Sequence, residues 1–268
     1  MAMKKYFLIL PLLFVSTPSW AQRSIPPEDQ VLIRLSPSTA QIKKPNQFRV
    51  LVWNIQKAQA KNAWARDYEN LVKSADLVLL QEGMRDSFVP GVLNRASKKS
   101  YWMAQSFLDK GGSESTGVVT GSWTEATQKS WLRSPGREPI SNTPKMTLLT
   151  VYDLENGEKL LVMNIHAINF VGVAEFEAQI KPLAKIIKEF QGKVLFAGDF
   201  NTWNQARFNV LDRWTQFAGL QKVSLSGDTR NLKLDHIYLR GCTADRAGVL
   251  NRVRSSDHYP LFAEVRCL

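Results

Sequence analysis

The feature that most constrains the fold is a train of ten short runs rich in valine, leucine, isoleucine and aromatic residues. They fall at 48–54, 76–80, 101–107, 117–123, 146–153, 159–165, 193–198, 234–240, 247–253 and 259–266. Runs of this length and composition predict strands. Helical periodicity is confined to 63–74, 172–190 and 204–217. In the longest of these, Val173, Phe176, Ile180, Leu183, Ile187 and Phe190 recur at helical spacing. Pro182 lacks an N–H donor and should kink or split that helix. Many strands with few helices is not the alternating pattern of a doubly wound sheet. It predicts an α/β protein of two packed sheets with helices on the outer faces. With 44% hydrophobic residues in a 268-residue chain, there is enough apolar material for one large core. No linker or repeat interrupts 47–268, which reads as one domain.

The amino terminus reads differently. Lys4 and Lys5 precede an apolar run from Tyr6 to Val15, broken only by Pro11, and Ser19-Trp20-Ala21 offers small residues at a cleavage site. This predicts a signal peptide over residues 1–21. The run is about half the ~20 residues needed to span a bilayer. No cysteine follows it, which excludes a lipoprotein, and no later segment is apolar enough to span. The mature protein is therefore expected to be exported, periplasmic or secreted, soluble and monomeric, with no protein partner. Residues 22–46 carry Pro26, Pro27, Pro37 and Pro45 and read as an extended lead-in. Export favours a disulfide between Cys242 and Cys267. Closing that loop would stabilise the fold by roughly 3 kcal/mol in the chain-entropy model.

Charge narrows the partners. The formal net charge is +11, and +9 after loss of Lys4 and Lys5. Such a balance points to an anionic partner, nucleic acid or an anionic membrane surface. The proline- and glycine-bearing loop 133–145 adds Arg133, Arg137 and Lys145. Trp102, Trp123 and Trp131 could stack on bases or sit at a membrane, although core packing is the commoner fate of tryptophan. Three histidines and two cysteines leave no room for a multi-cysteine zinc framework. Gly-x-Ser-x-Gly, His-Glu-x-x-His and a Walker-type glycine loop are all absent.

Several apolar runs stop abruptly at polar residues. Trp53 leads into Asn54, Leu80 into Gln81-Glu82, Met163 into Asn164-Ile165-His166, and Ala197 into Gly198-Asp199-Phe200-Asn201. Two others begin with them, at Leu234-Asp235-His236-Ile237 and Ser256-Asp257-His258-Tyr259-Pro260. If four strands run towards one edge and two run away, these groups meet there, as catalytic groups on a rigid sheet do. All three histidines fall in these segments, which favours function for His166 and His258. Successive strand residues face opposite ways, so Asp235 and His236 cannot both face the site. Asp235 is kept as the site residue and His236 as structural.

The donor set selects the chemistry. Glu82 is a hard oxygen ligand, and Asn54, Asn201 and Asp257 add oxygens, which suits Mg²⁺ or Mn²⁺. Asp199 and Asn201, two residues apart, can point the same way, one to position and deprotonate a water and one to contact a phosphoryl oxygen. Asp235 beside His258 would fix the tautomer of an imidazole that stabilises phosphoryl transfer. The inference is metal-assisted hydrolysis of a phosphate ester.

Taken together and in this order, these segments resemble the endonuclease/exonuclease/phosphatase superfamily, the deoxyribonuclease-I-like fold, over residues 48–266. Leu51-Val52-Trp53-Asn54-Ile55 and Asn164-Ile165-His166-Ala167-Ile168-Asn169-Phe170 look most like its YafD-like bacterial branch. The resemblance implies a four-layer α/β sandwich, two mainly antiparallel sheets packed face to face with helices outside. It implies that Glu82 is the principal metal ligand, supported by Asn54, with Asp257 near the metal. It implies that Asp199 positions or activates the water and Asn201 contacts the scissile phosphate. His166 would contact phosphate or protonate the leaving oxygen. His258, oriented by Asp235, would stabilise the transition state or act as base. Lys57, just past Asn54, reads as a solvated lysine rather than a phosphate contact. Charge, export and the arginine-bearing loop fit a nuclease best. The alternatives are a phospholipid-headgroup or small-phosphoester hydrolase, and a binding module that kept the fold without turnover.

Overall fold

Side chains alternate along each central strand, and this alternation sorts the apolar residues into layers. The structure is a computed structural model that describes residues 23–36 and 46–267; the expected signal peptide, residues 1–21, lies outside them. In chain order the elements are α1 (Glu28–Val31), β1 (Leu32–Arg34), β2 (Gln47–Asn54), α2 (Asn62–Val72), β3 (Leu77–Arg85) and α3 (Val89–Ala96). Then come β4 (Ser100–Asp109), β5 (Glu114–Ser122), β6 (Gln128–Arg133), β7 (Met146–Asp153), β8 (Lys159–His166) and α4 (Val173–Glu189). The rest are β9 (Lys193–Asp199), α5 (Gln205–Phe217), β10 (Gln221–Lys222), β11 (Asp235–Arg240), β12 (Cys242–Val249) and β13 (Leu261–Cys267).

Two sheets result, ordered β1-β4-β5-β3-β2-β13-β12 and β10-β11-β9-β8-β7-β6. Each has one parallel pair at its centre, β2 with β3 and β8 with β9, and is otherwise antiparallel. Val50 and Val52 of β2 meet Leu160, Val162, Leu195 and Ala197 of β8 and β9 between the sheets. Leu51 and Trp53 face outward onto Trp64 and Tyr68 of α2. Val194 and Phe196 face outward onto Phe176, Ile180, Leu183 and Leu211 of α4 and α5. This is the expected four-layer α/β sandwich.

The inward alternation continues into the polar residues. Asn54, Asn164, His166, Asp199 and Asp235 keep the parity of the inter-sheet core at the strand ends. Asn164 joins the sheets: its Nδ2 donates to Val119 O at 2.9 Å, and its Oδ1 accepts from Gln81 Nε2 at 2.7 Å. Gly198 allows the close approach of β9 to β8, because a Cβ there would lie 2.0 Å from Ile165 O and φ is +140°.

Several elements differ from expectation. Strand β6 lies at a sheet edge, where both faces carry polar residues and alternation fades. Helix α3 was hidden by its Pro90 and Gly91. Strand β12 begins at Cys242 rather than 247, because its first half is exposed and polar. Helix α4 runs unbroken from Val173 to Glu189 with Pro182 inside it, so the proline does not split it. The lead-in is partly structured: Leu32–Arg34 pairs with β4, and Val31 is fully buried against Ala104, Val118, Met146 and Leu148. Cys242 and Cys267 stand opposite in register on β12 and β13 and form a disulfide.

Candidate active site

Strand register brings the first three groups together. His166 on β8 and Asp235 on β11 are both the direct partners of Asp199 on β9. The facing sheet contributes Asn54, whose Nδ2 donates to Asp199 Oδ2 at 3.0 Å. His166 Nε2 lies 3.5 Å from the same oxygen and His258 Nε2 3.9 Å. The other oxygen, Oδ1, accepts from the Asn201 backbone N–H at 2.9 Å. The loop bearing His258 is tied to β2: Ser256 Oγ donates to Asn54 O at 2.7 Å and Trp53 Nε1 to His258 O at 2.9 Å.

Behind His258 runs a chain of charges. Its Nδ1 lies 3.0 Å from both oxygens of Asp235. Arg230 Nη1 donates to Asp235 Oδ2 at 3.2 Å and to Asp235 O at 3.1 Å, while Arg230 Nε and Nη2 grip Asp228 at 2.9 and 3.2 Å. Burial opposes the charged imidazolium of His258, but the charge and hydrogen bond of Asp235, with Asp199 and Asp257, overcome it and raise the pKa to about 10. Burial first, then the Asp235 charge, raises the Asp199 carboxyl to about 6, against the pull of His258, the Asn201 N–H and Asn54. Burial and the nearby cations Lys145, His258 and Lys57 hold His166 well below the ordinary imidazole range.

A cavity of about 160 Å³ opens beside these groups, with Glu82, His166, Lys57, Lys145, Glu138 and Arg23 in its wall. Glu82 reaches it through an irregularity in β3: the register shifts between Leu80 and Gly83, and Glu82 adopts φ 52°. Gly83 permits this, since a Cβ there would lie 2.5 Å from Val119 Cγ2. Among the described residues, no hydrogen bond or ion pair engages the Glu82 carboxylate. An unpartnered carboxylate facing a cavity suits a hard divalent cation. Asp199, Asp235 and His258 also approach closely enough to ligate an ion, with candidate atoms within 4.8 Å of one another. There, however, Asp235 is already neutralised by Arg230 and His258, so Glu82 is the better anchor.

All eight expected site residues stand at this one edge, with three differences in detail. Strand β9 ends at Asp199, and Asn201 has φ 50°, so the two-residue spacing does not align their side chains. Asn201 Nδ2 instead donates to Ala167 O at 2.8 Å. Lys57 lines the cavity, its Nζ 5.8 Å from the Phe107 ring centre, rather than standing in open solvent. Asp257 is exposed and, among the described residues, accepts only from Ser256 Oγ at 3.3 Å. His236 is structural, as expected: it is buried with Nε2 2.7 Å from Thr202 Oγ1.

Sequence reasoning missed the supporting residues. Arg230 and Asp228 lie in a loop with no periodic signal. Gln179 of α4 is buried and accepts from Ile168 N–H at 2.7 Å, fixing the segment after His166. Arg207 is fully buried; its Nε donates to Asn201 O at 2.8 Å, its Nη1 to Val171 O at 3.3 Å and its Nη2 to Ile168 O. Its one signal was an arginine on the face of α5 shared with Val210 and Leu211.

A two-sheet sandwich with carboxylates, amides and a paired histidine at the ends of its central strands is a phosphoesterase fold. The chain belongs to the Endonuclease/Exonuclease/phosphatase family, whose family model matches residues 51–258. It is 36% identical over 231 residues to a UPF0294 protein of Vibrio campbellii (strain ATCC BAA-1116), covering 82% of this chain and 78% of that one. Among solved structures it is similar to an endonuclease/exonuclease/phosphatase from Beutenbergia cavernae DSM 12333, with TM-score 0.65 and 16% identity over 82% of this chain and 72% of that one. It is also similar to ANGEL2, described as a 2',3'-cyclic phosphatase, with TM-score 0.58 and 13% identity over 84% of this chain and 97% of the other.

Proposed function

We propose that the protein is a divalent-metal-dependent phosphodiesterase that hydrolyses nucleic acid by in-line attack of water. One observation carries the reading: the buried Asp199 carboxylate is shared among Asn54, His166 and the Asp235-paired His258, and His166 lines a cavity together with Glu82. A divalent cation, Mg²⁺ or Mn²⁺, held by Glu82 with Asn54 and Asp257, would polarise a phosphoryl oxygen and offset its charge.

The chain's own residues supply the rest. Asp199, with a carboxyl near pKa 6, is ionised at neutral pH and can take a proton from an attacking water. His258 is held as the imidazolium, so it has no free lone pair and acts by presenting Nε2–H to developing negative charge. These directions favour Asp199 as the base. The neutral His166 is suited to donate a hydrogen bond to a phosphoryl or leaving oxygen. Asn201 acts chiefly through its backbone N–H, which orients Asp199.

Support for nucleic acid comes from the net charge of +11 and from Arg23, Lys57 and Lys145 in the cavity wall. Likeness to ANGEL2, also solved with adenosine-2',3'-vanadate, is in keeping with this reading. A second reading, hydrolysis of a phospholipid headgroup, is favoured by apolar side chains exposed on the segments that leave the catalytic edge. We also propose that the chain is exported; the Cys242–Cys267 disulfide supports an oxidising compartment.

The test is cleavage of plasmid DNA with Mg²⁺ or Mn²⁺, with chelator and Asp199→Ala controls. Metal-dependent nicking that falls by at least ~10²-fold in Asp199→Ala is expected. Folded wild type that nicks no DNA but hydrolyses lipid headgroups would shift the reading to the second. Equal inactivity of wild type and variant on both substrate classes would leave a phosphate-binding module.

A further inference from the structure

Among the described residues, six large apolar side chains are strongly exposed: Ile140 (80%), Phe170 (65%), Leu232 (57%), Phe217 (45%), Trp203 (42%) and Val173 (36%). Exposed apolar residues scattered singly need no explanation, but a cluster does. Five of the six stand on segments that leave the catalytic edge. Phe170 and Val173 follow His166, Trp203 follows Asn201, and Leu232 precedes Asp235. Ile140 stands on the 134–145 loop, which is stapled to the first group: Glu138 Oε1 accepts from Asn169 N–H at 3.1 Å. Only Phe217 lies elsewhere, at the far end of α5.

These side chains are held outward. Phe170 adopts φ 56°, with its N–H bonded to Asn169 Oδ1 at 2.9 Å. Arg207 lies 5.6 Å from the Trp203 ring centre. Cations are interleaved with them: Arg137 is exposed near Ile140, and Lys233, beside Leu232, has 57% of its side chain exposed.

We propose that the loops around the catalytic mouth form a docking rim for an anionic phospholipid bilayer, so that the active site faces the membrane surface. Isoleucine, leucine and valine have no π-face and cannot stack on bases. Mixed aliphatic and aromatic side chains interleaved with cations are the composition that seats in a lipid interface. No helix among the described residues is long and apolar enough to span a membrane, so contact is through the loops. The rim goes beyond the nucleic-acid reading, and because docking needs no turnover, each fails or stands separately.

The experiment is flotation of the full chain with phosphatidylcholine vesicles containing or lacking phosphatidylglycerol, for wild type and an Ile140→Ser/Phe170→Ser/Leu232→Ser variant. The substituted side chains are mostly exposed, and an unchanged Tm confirms folding. Binding to anionic vesicles at least about tenfold weaker in the variant is expected. Where the apolar leader holds both proteins to the vesicle, quenching by brominated lipid that is diminished in Trp203→Phe still reports the mouth in the bilayer. Equal flotation of both proteins with no Trp203-dependent quenching overturns the proposal. So does a variant that loses binding to oligo(dT) but not to vesicles, which would make the rim a base-stacking platform.

Discussion

His258 Nδ1 lies 3.0 Å from both carboxylate oxygens of Asp235, and in the proposed mechanism this bond favours Asp199 over His258 as the base. A neutral imidazole facing Asp199 could accept a proton; an imidazolium cannot. Replacing Asp235 by Asn keeps the shape and removes the charge. The imidazolium then loses its main support, and the His258 pKa falls. Activity should drop by at least ~10²-fold, the scale of losing a group that stabilises the transition state. The alkaline limb of the pH–rate profile should move to lower pH. An NMR titration of the His258 ring in metal-free protein checks this directly: a midpoint near 10 in wild type and a lower one in Asp235→Asn. The same midpoint in both proteins would dissociate the pair.

Arg230 neutralises two carboxylates at once, and its side chain and that of Asp235 are 6% and 5% exposed. Removing it leaves Asp235 with His258 alone and Asp228 with the exposed Lys233 alone as counter-charges. Arg230→Ala should cost about 3 kcal/mol of stability, as loss of one partner from a buried pair does. Arg230→Lys should recover part of the stability, because a lysine cannot reach both carboxylates with a planar fork. Urea denaturation of the three proteins measures the difference. A loss under 1 kcal/mol in Arg230→Ala, the range of an exposed pair, would place the arginine outside the network.

The metal reading makes a thermodynamic prediction that needs no substrate. A cation that binds only the folded chain stabilises it, by about 2.7 kcal/mol at one hundred times its dissociation constant. Wild type should therefore melt at higher temperature with Mg²⁺ or Mn²⁺, and chelator should reverse the rise. Glu82→Gln should abolish most of that shift without lowering the metal-free Tm, because the Glu82 carboxylate has no partner to lose. An undiminished metal-dependent shift in Glu82→Gln would move the ion to the Asp199, Asp235 and His258 group.

The eight candidate site residues stood out in the sequence for one physical reason. They lie where apolar runs end or begin, because charged side chains in a strand buried on both faces gather near its tips. Asn164 shows the limit of that reasoning. It looks like a site residue in sequence but is fully buried, joining the two sheets through Val119 O and Gln81. Glu82 was found by its position after Leu80, whereas the bulge that turns it into the cavity depends on Gly83 meeting Val119 across the sheet. Arg230, Arg207 and Lys145 were not legible as site residues. Their roles come from contacts across 5 to 39 positions in loops or from a helix face, where no local period marks them.

Arg207 tests how far such a hidden contact matters. Its guanidinium donates to the carbonyls of Asn201, Ile168 and Val171 with no carboxylate in the set, and burial lowers its pKa to about 10. Arg207→Ala would leave buried carbonyls unpaired and free the two segments after His166 and Asp199. A stability loss of about 2–4 kcal/mol is expected. Where the variant remains folded, turnover should fall more than substrate affinity, with partial rescue in Arg207→Lys. A change in KM alone would make Arg207 a structural residue only.

His236 gives the fold a pH dependence of its own. Burial, reinforced by Lys222, lowers its pKa to about 3, with Asp235 opposing. Thr202 Oγ1 donates its proton to Lys233 O at 2.8 Å, so it accepts from His236 Nε2–H, which selects the Nε2–H tautomer of the neutral ring. The unfolded chain binds this proton near pH 6.5 and the folded chain does not. The neutral-ring contribution is thus fully present above pH 6.5 and is lost as pH falls towards 3, at up to about 1.4 kcal/mol per pH unit. Denaturation midpoints between pH 7 and pH 4 should fall in wild type and fall less steeply in His236→Gln, which removes the titrating group. Parallel slopes for the two proteins would show that acid acts through the carboxylates alone.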